Sequence, residues 1–385
     1  MPYWRLSGFY FFYFATLGAL VPYWSLYLRS VGFSALQIGE LMALLMVSRI
    51  VAPYLWGWIA DHQGQRMVVV RTAALLSVVS FAGVFVSATF WWLAVVMLLF
   101  SFFWNATLPQ VEAATLSHFG GEGGRYARVR LWGSVGFIVS VLVLGSVLDH
   151  VPAWWLLPAL LVLLSGIWVA SLLVPQREVP GQTEHAGPLL KIFLRPQVAA
   201  FLFSAFLMQA SHGPYYTFYT IYLGGHGYSK TVIGALWALG VVCEIAIFLV
   251  LHRARMRIGM REMLLASFAL AAVRWALIGF FPDYLAILIL AQVLHAATFG
   301  AYHATAVEMV HRFFRGAHQT RGQAIYGSVS FGLGGAVGSL YAGVGWSSSG
   351  PLSTYLAASL LALLALGVAW RWIRPATSYG VADID

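Results

Sequence analysis

Charged residues are scarce in this sequence. Asp, Glu, Lys and Arg make up 9% of its 385 residues, hydrophobic residues make up 61%, and the mean hydropathy is +0.80. A soluble globular protein carries roughly 25% charged residues, because water must wet its surface. This chain cannot supply such a surface, which excludes a soluble enzyme, a nucleic-acid-binding domain and a disordered regulator. A lipid bilayer is the expected solvent.

Cysteine and asparagine are almost absent as well. The single cysteine, Cys243, excludes an intrachain disulfide and a cysteine-based metal site. The single asparagine, Asn105, starts the sequon Asn-Ala-Thr but lies inside an apolar run, so we do not expect it to be glycosylated. The N-terminal apolar run is too long for the h-region of a signal peptide, and we interpret it as a retained first helix.

Long apolar runs, in contrast, are abundant. A membrane-spanning helix needs about 20 apolar residues, and twelve such runs follow one another with short connections. The predicted spans are residues 6–28, 36–58, 67–88, 91–116, 129–148, 153–174, 197–223, 231–251, 262–281, 284–310, 322–345 and 351–372. The sequence therefore predicts an all-α membrane protein with twelve transmembrane helices.

Basic residues predict the orientation of these helices. Alternate connections and the tail hold Arg66, Arg125, Arg128, Arg253, Arg255, Arg257, Arg312, Arg315, Arg371 and Arg374, together with the basic residues of a central linker. The opposite connections hold only Arg29 and Lys230. Because basic loops stay on the cytoplasmic side, both termini are expected in the cytoplasm. Charges spread along loop ends in this way also argue against a nucleic-acid partner.

The chain repeats itself at an offset of about 195 residues. Matched pairs include Tyr27-Leu28 with Tyr222-Leu223, Gly32-Phe33-Ser34 with Gly227-Tyr228-Ser229, Gly133-Ser134-Val135 with Gly327-Ser328-Val329, and Glu112 with Glu308. The repeat predicts two pseudo-symmetric six-helix bundles, residues 1–174 and 197–385, joined by a cytoplasmic linker at 175–196. This organisation resembles the major facilitator superfamily, whose substrate site lies near the membrane midplane between the two halves.

The loop after the second helix carries a further resemblance. Residues 57–66 read Gly-Trp-Ile-Ala-Asp-His-Gln-Gly-Gln-Arg and resemble the Gly-x-x-x-Asp-x-x-Gly-x-Arg loop of that superfamily. The resemblance implies a gating role for Asp61 and Arg66, and an ordinary polar turn is the alternative. In the second half Met256 replaces the aspartate, while Gly259 and Arg261 remain.

Several segments in both halves are similar to the phenylpropionate permease family, relatives of the oligosaccharide and lactose proton symporters. They are Pro22–Leu28, Val129–Val135, Leu236–Glu244, Val273–Trp275 and Gln292–His295. The resemblance covers nearly the whole chain. It implies a proton-coupled importer of small organic solutes in the bacterial inner membrane, with the proton gradient as its energy source, no cofactor, and a monomeric state.

Ionisable residues inside spans are costly and therefore point to function. Arg49 and Glu244 occupy equivalent positions of the repeat, since 49 + 195 = 244. We hypothesise that Glu244 is the proton-coupling carboxylate and that its affinity for a proton responds to Arg49 or Arg274 during transport. A static ion pair within one half is the alternative. Arg274 is a candidate partner for Glu244 or for an anionic substrate, the alternative being a lipid-facing arginine that reaches a headgroup.

Two further groups of candidates follow from helix ten and from the ends of the helices. Helix ten presents Gln292, His295, Phe299 and His303 on roughly one face, and both histidines are proton-site candidates, although a membrane histidine often only bonds backbone. Glu112 and Arg130 are expected to meet and form a gate or substrate contact. Glu308, the repeat counterpart of Glu112, is expected to gate or simply to stabilise a helix end.

Polar and aromatic residues of the remaining helices complete the candidate substrate site. Because the resemblance places helices one and seven along the cavity, the predicted substrate-binding residues are Arg49, Arg274, Asn105, His212, Tyr23, Tyr27, Tyr215, Tyr216, Tyr219, Trp237 and Gln292. The alternative for the aromatic residues is an interfacial belt. No metal site is expected, because the histidine spacing on helix ten is too long and no carboxylate joins that face.

These features favour one function over two alternatives. Two membrane arginines and an aromatic-rich site favour proton-coupled symport of a small organic anion, most readily an aromatic carboxylate, by alternating access. In the second hypothesis the solute is a neutral nucleoside or sugar, and the charged residues pair with one another. The third is a transporter-like membrane sensor, which would need a larger cytoplasmic interaction domain. An enzyme is not expected, since no nucleophile–base set and no phosphate-binding loop is visible.

Overall fold

The fold is all-α wherever it is described. The computed structural model describes residues 2–119, 123–176, 190–255 and 258–374. The first half contains α1 (Tyr3–Ser30), α2 (Ala35–Gln63), α3 (Arg66–Ala82), α4 (Phe90–Phe119), α5 (Gly123–His150) and α6 (Leu156–Leu173). Short 3₁₀ turns at Gly83–Phe85 and Ala153–Trp155 follow α3 and precede α6.

The second half is more interrupted. It contains α7 (Leu190–Phe193), α8 (Pro196–Ser211), α9 (Gly213–Gly225), α10 (Lys230–Arg255), α11 (Met260–Phe280), α12 (Leu285–His295), α13 (Tyr302–Phe313), α14 (Gln319–Gly327), α15 (Gly335–Ser348) and α16 (Gly350–Trp372). A π-helical segment, Ala296–Ala301, joins α12 to α13, and a second one, Ser328–Gly334, joins α14 to α15. Gly213-Pro214 lies at the break between α8 and α9, where proline lacks the backbone N–H that would continue the helix.

The described residues include ten helices that are long and apolar enough to cross a membrane. The predicted seventh and eleventh spans are not among these ten, and both are interrupted, one between α8 and α9 and the other by the second π-helical segment. A multi-pass membrane protein is thereby confirmed, whereas the count of twelve stays a prediction.

Two compact units make up the structure. The first combines Met1–Thr183 with Tyr216–Ala238, and the second combines Glu184–Tyr215 with Leu239–Asp385. The division into 1–174 and 197–385 stays a prediction, and most of the predicted linker, 177–189, lies outside the described residues.

Small residues set the helix spacing within each unit. In the first unit a Cβ atom on Gly18 would lie 2.7 Å from the carbonyl oxygen of Phe137, so α1 and α5 touch backbone to backbone. In the second unit a Cβ on Gly338 would lie 2.8 Å from the carbonyl oxygen of Ala210, which brings α15 equally close to α8. Since lipid gives no hydrophobic drive for helix association, such close approach is a main source of packing energy.

Arginines at the start of equivalent helices cap the last carbonyls of their neighbours. Arg71 of α3 donates to the carbonyl oxygen of Val174 at 2.8 Å, beyond the end of α6. Arg261 of α11 donates to those of Trp370 and Ile373 at 2.9 and 2.6 Å, at the end of α16. Helix ends leave carbonyls unsatisfied, so both arginines stabilise the repeat in a similar way.

An aspartate from α5 caps the start of α10 within the first unit. Asp149 accepts hydrogen bonds from the backbone N–H groups of Lys230 and Thr231 at 2.7 and 2.9 Å, and from the Thr231 hydroxyl at 2.6 Å. The Lys230 ammonium lies 3.8 Å from the same carboxylate. These contacts satisfy N–H groups that a helix leaves open at its first turn.

We therefore expect Asp149→Ala to destabilise the folded protein by about 1 kcal/mol, the usual effect of losing a helix cap. Thermal unfolding of the detergent-solubilised protein measures this as a lower midpoint. Asp149→Asn is the matched control, because its amide keeps one acceptor oxygen and should lose only part of the stability. An unchanged midpoint in Asp149→Ala would show that the cap contributes nothing.

Candidate functional site

Three side chains, two of them buried and one half-buried, form a row across three helices. The Arg274 Nη1 atom on α11 lies 2.9 Å from Nδ1 of His295, which ends α12. His295 Nε2 lies 2.6 Å from Oε1 of Glu244 on α10. Arg274 is fully buried, and the side chains of His295 and Glu244 are 7% and 16% exposed. We call this row the Arg274–His295–Glu244 relay.

The hydrogen bonds of the relay fix the position of the ring proton. An arginine side chain only donates, so Nδ1 of His295 must accept from Arg274. In a neutral imidazole the proton is then on Nε2 and is donated to the Glu244 carboxylate. A proton added to Glu244 Oε1 would face this N–H directly. The relay must therefore rearrange when Glu244 takes up a proton there.

Further hydrogen bonds hold the guanidinium group of Arg274. Its Nε donates to the carbonyl oxygen of Ala291 at 2.9 Å, Nη1 to the Thr298 hydroxyl at 3.3 Å, and Nη2 to Gln292 Oε1 at 3.4 Å. Only arginine offers several donors in one rigid plane, so these contacts specify both the charge and its orientation.

Two aromatic rings also pack against Arg274. Its guanidinium carbon lies 4.4 Å from the ring centre of Tyr215 and 4.6 Å from that of Trp275, within the range of cation–π attraction. The Tyr215 hydroxyl donates to Gln292 Oε1 at 3.0 Å, and Trp275 donates to the Ser211 hydroxyl at 3.1 Å. Tyr215 and Gln292, both predicted to bind substrate, thus touch the relay directly.

The π-helical segment Ala296–Ala301 begins immediately after the relay histidine. The rings of His295 and Phe299 stack at 5.3 Å and 13°, and those of Phe299 and His303 at 6.1 Å and 14°. The Tyr326 hydroxyl lies 3.5 Å from Nδ1 of His303. The predicted stripe on helix ten is therefore a stacked column that leads away from the relay. Single π-turns inside α-helices are frequent at functional sites.

His212 lies between α8 and α9, at the break in the predicted seventh span. Its Nδ1 atom lies 2.8 Å from the carbonyl oxygen of Met208, and its ring meets that of Trp275 edge-on at 4.8 Å. His212, which is predicted to bind substrate, is 1% exposed and packs beside Trp275, one of the two rings that contact Arg274.

In the first unit, Arg49 of α2 is oriented by a neighbouring amide. Its Nε donates to Asn105 Oδ1 at 3.3 Å, and Asn105 Nδ2 donates to the Ser48 hydroxyl at 2.8 Å. Asn105 and Ser48 are buried, and Arg49 is half-buried. Across the part of the chain that the structure describes, Arg49 forms no ion pair. Asn105 thus positions this cation through its Nε atom.

Glu112 and Arg130 meet in the first unit, as their positions in the sequence suggested. Arg130 Nε lies 3.6 Å from Glu112 Oε1, and the Tyr126 hydroxyl donates to the same oxygen at 3.5 Å. The guanidinium carbon lies 3.9 Å from the ring centre of Phe14 and 5.6 Å from that of Tyr10. The pair is therefore built into an aromatic cage, whereas its gating role stays a prediction.

The predicted aromatic residues of α1 are engaged in packing. The Tyr23 hydroxyl donates to the carbonyl oxygen of Val141 in α5 at 2.7 Å. Tyr27 is 3% exposed and its ring lies 5.1 Å from that of Trp24. Their roles in substrate binding stay predictions.

The remaining predicted aromatic residues form one group between the first two turns of α9 and the first part of α10. The ring of Trp237 stacks with that of Tyr216 at 6.3 Å and meets that of Tyr219 edge-on at 5.8 Å. Its indole N–H donates to the Thr220 hydroxyl at 3.4 Å. The structure thus brings these three predicted residues together.

Three predicted gating residues, Asp61, Arg66 and Glu308, form ion pairs with residues close in sequence. Arg66 Nη2 lies 2.8 Å from Asp61 Oδ1, so the loop after α2 closes on itself. Arg312 Nη2 lies 3.2 Å from Glu308 Oε1, one helical turn away. Exposed pairs of this kind contribute little stability, so neither contact decides between a gate and an ordinary helix end.

Sequence reasoning missed several partners of the charged residues. Thr298 and Phe14 lie in apolar runs, yet they contact Arg274 and Arg130, and the uncharged Tyr126 donates to Glu112, the partner of Arg130. The sequence offered one signal for Thr298: it lies three residues after His295, and that spacing places its hydroxyl on the same helix face.

Comparisons with known proteins agree with this architecture. The profile of the MFS_1-like family matches residues 3–357. A probable 3-phenylpropionic acid transporter of Escherichia coli (strain K12) is 30% identical over 343 residues, which cover 88% of this chain and 90% of that protein. Maltose permease of Geobacillus stearothermophilus is 29% identical over 335 residues, covering 85% of this chain and 83% of the permease.

Solved structures show the same fold. The crystal structure of the nucleoside transporter NupG is similar with a TM-score of 0.82 at 16% identity, covering 98% of this chain and 99% of that one. All three of these proteins are transporters. The predicted all-α transporter fold is confirmed, as is the expectation that the chain is not an enzyme.

Proposed function

This chain belongs to the MFS_1-like family of membrane transporters, and we propose that it is a proton-coupled symporter that imports a small aromatic carboxylate by alternating access. The Arg274–His295–Glu244 relay carries the proposal. A buried carboxylate bonded to a neutral histidine, next to a fixed arginine, is an arrangement that can load and release one proton.

The chemistry of the relay links proton uptake to movement. A proton on Glu244 removes the negative charge that accepts the N–H of His295, so the charge-assisted contact of 2.6 Å becomes a weaker hydrogen bond between neutral groups. Arg274 stays in place through its bonds to Ala291, Thr298 and Gln292. Protonation therefore changes the contacts of α10 with α12 and leaves those of α11 intact. Such a two-state element is what coupling requires.

Arg49 is the proposed anchor for the substrate carboxylate. Its Nε is occupied by Asn105, which leaves the two terminal nitrogens oriented for a bidentate contact. The similarity to a probable 3-phenylpropionic acid transporter supports an acid with an aromatic ring. In the second candidate function the solute is a nucleoside or sugar, which the likeness to NupG and to maltose permease favours.

The remaining assignments complete the proposal. The protein resides in the bacterial inner membrane with both termini in the cytoplasm, because its basic residues collect on one set of loops. It works as a monomer and uses the proton gradient without a cofactor.

Uptake into proteoliposomes tests the function. With 3-phenylpropionate as the probe, an inward proton gradient should drive accumulation, and a protonophore should abolish it. Thermal-shift screening against aromatic acids, nucleosides and sugars identifies the solute class, since a ligand stabilises the state it binds. Stabilisation and uptake of neutral solutes alone would refute the carboxylate and favour the second candidate.

Arg49→Gln sharpens the test for an anion. The variant should raise KM for 3-phenylpropionate by about tenfold or more, the effect of losing one strong charge-assisted contact of ~1.4 kcal/mol. Glu40→Gln, a half-buried charge change on the same helix, is the control and should leave KM unchanged. An equal KM in both variants would place the carboxylate elsewhere.

A further inference from the structure

Two glycines lie beside the two ends of the His295–Glu244 bond. A Cβ atom built on Gly240 of α10 would lie 3.1 Å from His295 Cδ2. A Cβ built on Gly300 of the π-helical segment would lie 3.4 Å from Glu244 Cγ and 3.1 Å from Ile247 Cγ2. Gly240 on α10 thus faces His295, and Gly300, in the segment that follows α12, faces Glu244 on α10.

The spacing of these residues depends on the π-turn. Gly240 and Glu244 are four residues apart, one turn of α10, whereas His295 and Gly300 are five residues apart. Five residues correspond to the i→i+5 hydrogen-bond pattern of a π-helix. In an uninterrupted α-helix, Phe299 would take the position one turn after His295. The extra residue lets Phe299 stack on the imidazole while Gly300 faces α10.

We propose that Gly240 and Gly300 are positioning residues for proton coupling: the missing side chains let α10 approach closely enough for Glu244 to reach His295. The inference rests on the proposed symport function. In this proposal, the π-turn places Gly300, and not Phe299, against the Glu244 carboxylate.

His295 has little freedom to avoid a new methyl group at position 240. Its Nδ1 is held by Arg274 at 2.9 Å and its Nε2 by Glu244 at 2.6 Å. Cδ2, the atom that a Cβ would press on, is covalently bonded to Nε2. A shift of a few tenths of an ångström at Cδ2 therefore moves Nε2 away from its hydrogen-bond geometry, which is sensitive on that scale.

Gly240→Ala and Gly300→Ala test the proposal in proteoliposomes. With 3-phenylpropionate as the probe, accumulation driven by a proton gradient should fall by about tenfold, or ~1.4 kcal/mol. Exchange across membranes of equal pH, which needs no net proton transfer, should stay within about twofold of wild type. Gly367→Ala on α16 is the matched control, because a Cβ there would meet nothing within 4 Å, and it should behave as wild type.

Infrared titration of the purified protein gives a readout without substrate. The carboxyl band that is lost in Glu244→Gln should titrate with a shifted midpoint in Gly240→Ala and with the wild-type midpoint in Gly367→Ala. Should Gly240→Ala fail to fold, Gly300→Ala decides the matter, because its Cβ would lie 3.4 Å from Glu244 Cγ and its nearest neighbour, at 3.1 Å, is the side-chain methyl Cγ2 of Ile247 and not a residue of the relay.

The outcomes separate this inference from the function it rests on. If Glu244→Gln accumulates substrate normally, the proposed coupling is wrong. If Glu244→Gln is uncoupled while both glycine variants accumulate substrate and titrate as wild type does, the function stands and the positioning role is refuted. Loss of accumulation and exchange together, with an unshifted band, would also refute it, because general misfolding would then explain the loss.

Discussion

Replacing Glu244 with glutamine should abolish accumulation driven by a proton gradient while substrate exchange continues. Glutamine keeps the size of the side chain and an oxygen that accepts the N–H of His295, so the 2.6 Å contact and the fold should survive. What is lost is the group that binds and releases the proton. We expect the accumulation ratio to fall by at least about tenfold, equivalent to ~1.4 kcal/mol.

The measurement compares two assays on one preparation in proteoliposomes. Accumulation is followed under an imposed pH gradient, and exchange is followed with equal pH and labelled substrate on one side. Glu262→Gln, which removes a half-exposed carboxylate from the start of α11, controls for the change in net charge. Full accumulation by Glu244→Gln would remove this residue from the coupling mechanism.

Replacing Arg274 with glutamine should cost the protein both stability and transport. The guanidinium is fully buried and donates to Ala291, His295, Thr298 and Gln292. Its removal takes away the cation that contacts His295, the hydrogen-bond partner of the Glu244 carboxylate. Removing one partner from a buried arrangement of charges lowers the free energy of unfolding by about 3 kcal/mol or more. A clearly lower thermal midpoint and no detectable uptake are the expected results.

Two further variants separate charge from geometry. Arg274→Lys keeps the cation but cannot make four bonds in one plane, so it should recover part of the stability and little of the transport. The double variant Arg274→Gln with Glu244→Gln removes both charges and should be more stable than Arg274→Gln alone, with exchange but no accumulation. Arg371→Gln, at the exposed end of α16, is the control. Additive losses in the double variant would refute an electrostatic link through His295.

Much of the fold follows from composition and spacing. Long apolar runs predict membrane helices because the bilayer leaves no other way to satisfy the backbone. The repeat and the family resemblance predict the transporter architecture that the comparisons confirm. The breaks in the seventh and eleventh spans were harder to anticipate in detail. Gly213-Pro214 marks the first break, because proline cannot donate the hydrogen bond that continues a helix, whereas the glycines of Ser328–Gly334 permit close packing without specifying a change of helical register.

The charged residues of the site were found for one reason. Inside apolar runs an ionisable side chain stands out, so Glu244, Arg274 and His295 could be identified one by one. Which of these side chains contact one another could not be identified in this way. The sequence proposed a direct partnership of Glu244 with Arg49 or Arg274, while the structure places His295 between Arg274 and Glu244. The order of the three groups depends on how far α10, α11 and α12 approach one another.

The sequence by itself determined that this protein is a helical membrane protein and which few ionisable residues lie within its spans. Both follow from the free energies of transferring side chains from water to lipid, which depend on single residues and on short stretches of sequence. The tertiary structure decided what those residues do to one another. The tautomer of His295, the fixed plane of the Arg274 guanidinium and the role of Gly240 depend on distances of a few ångströms between helices, and such distances arise only when distant segments pack.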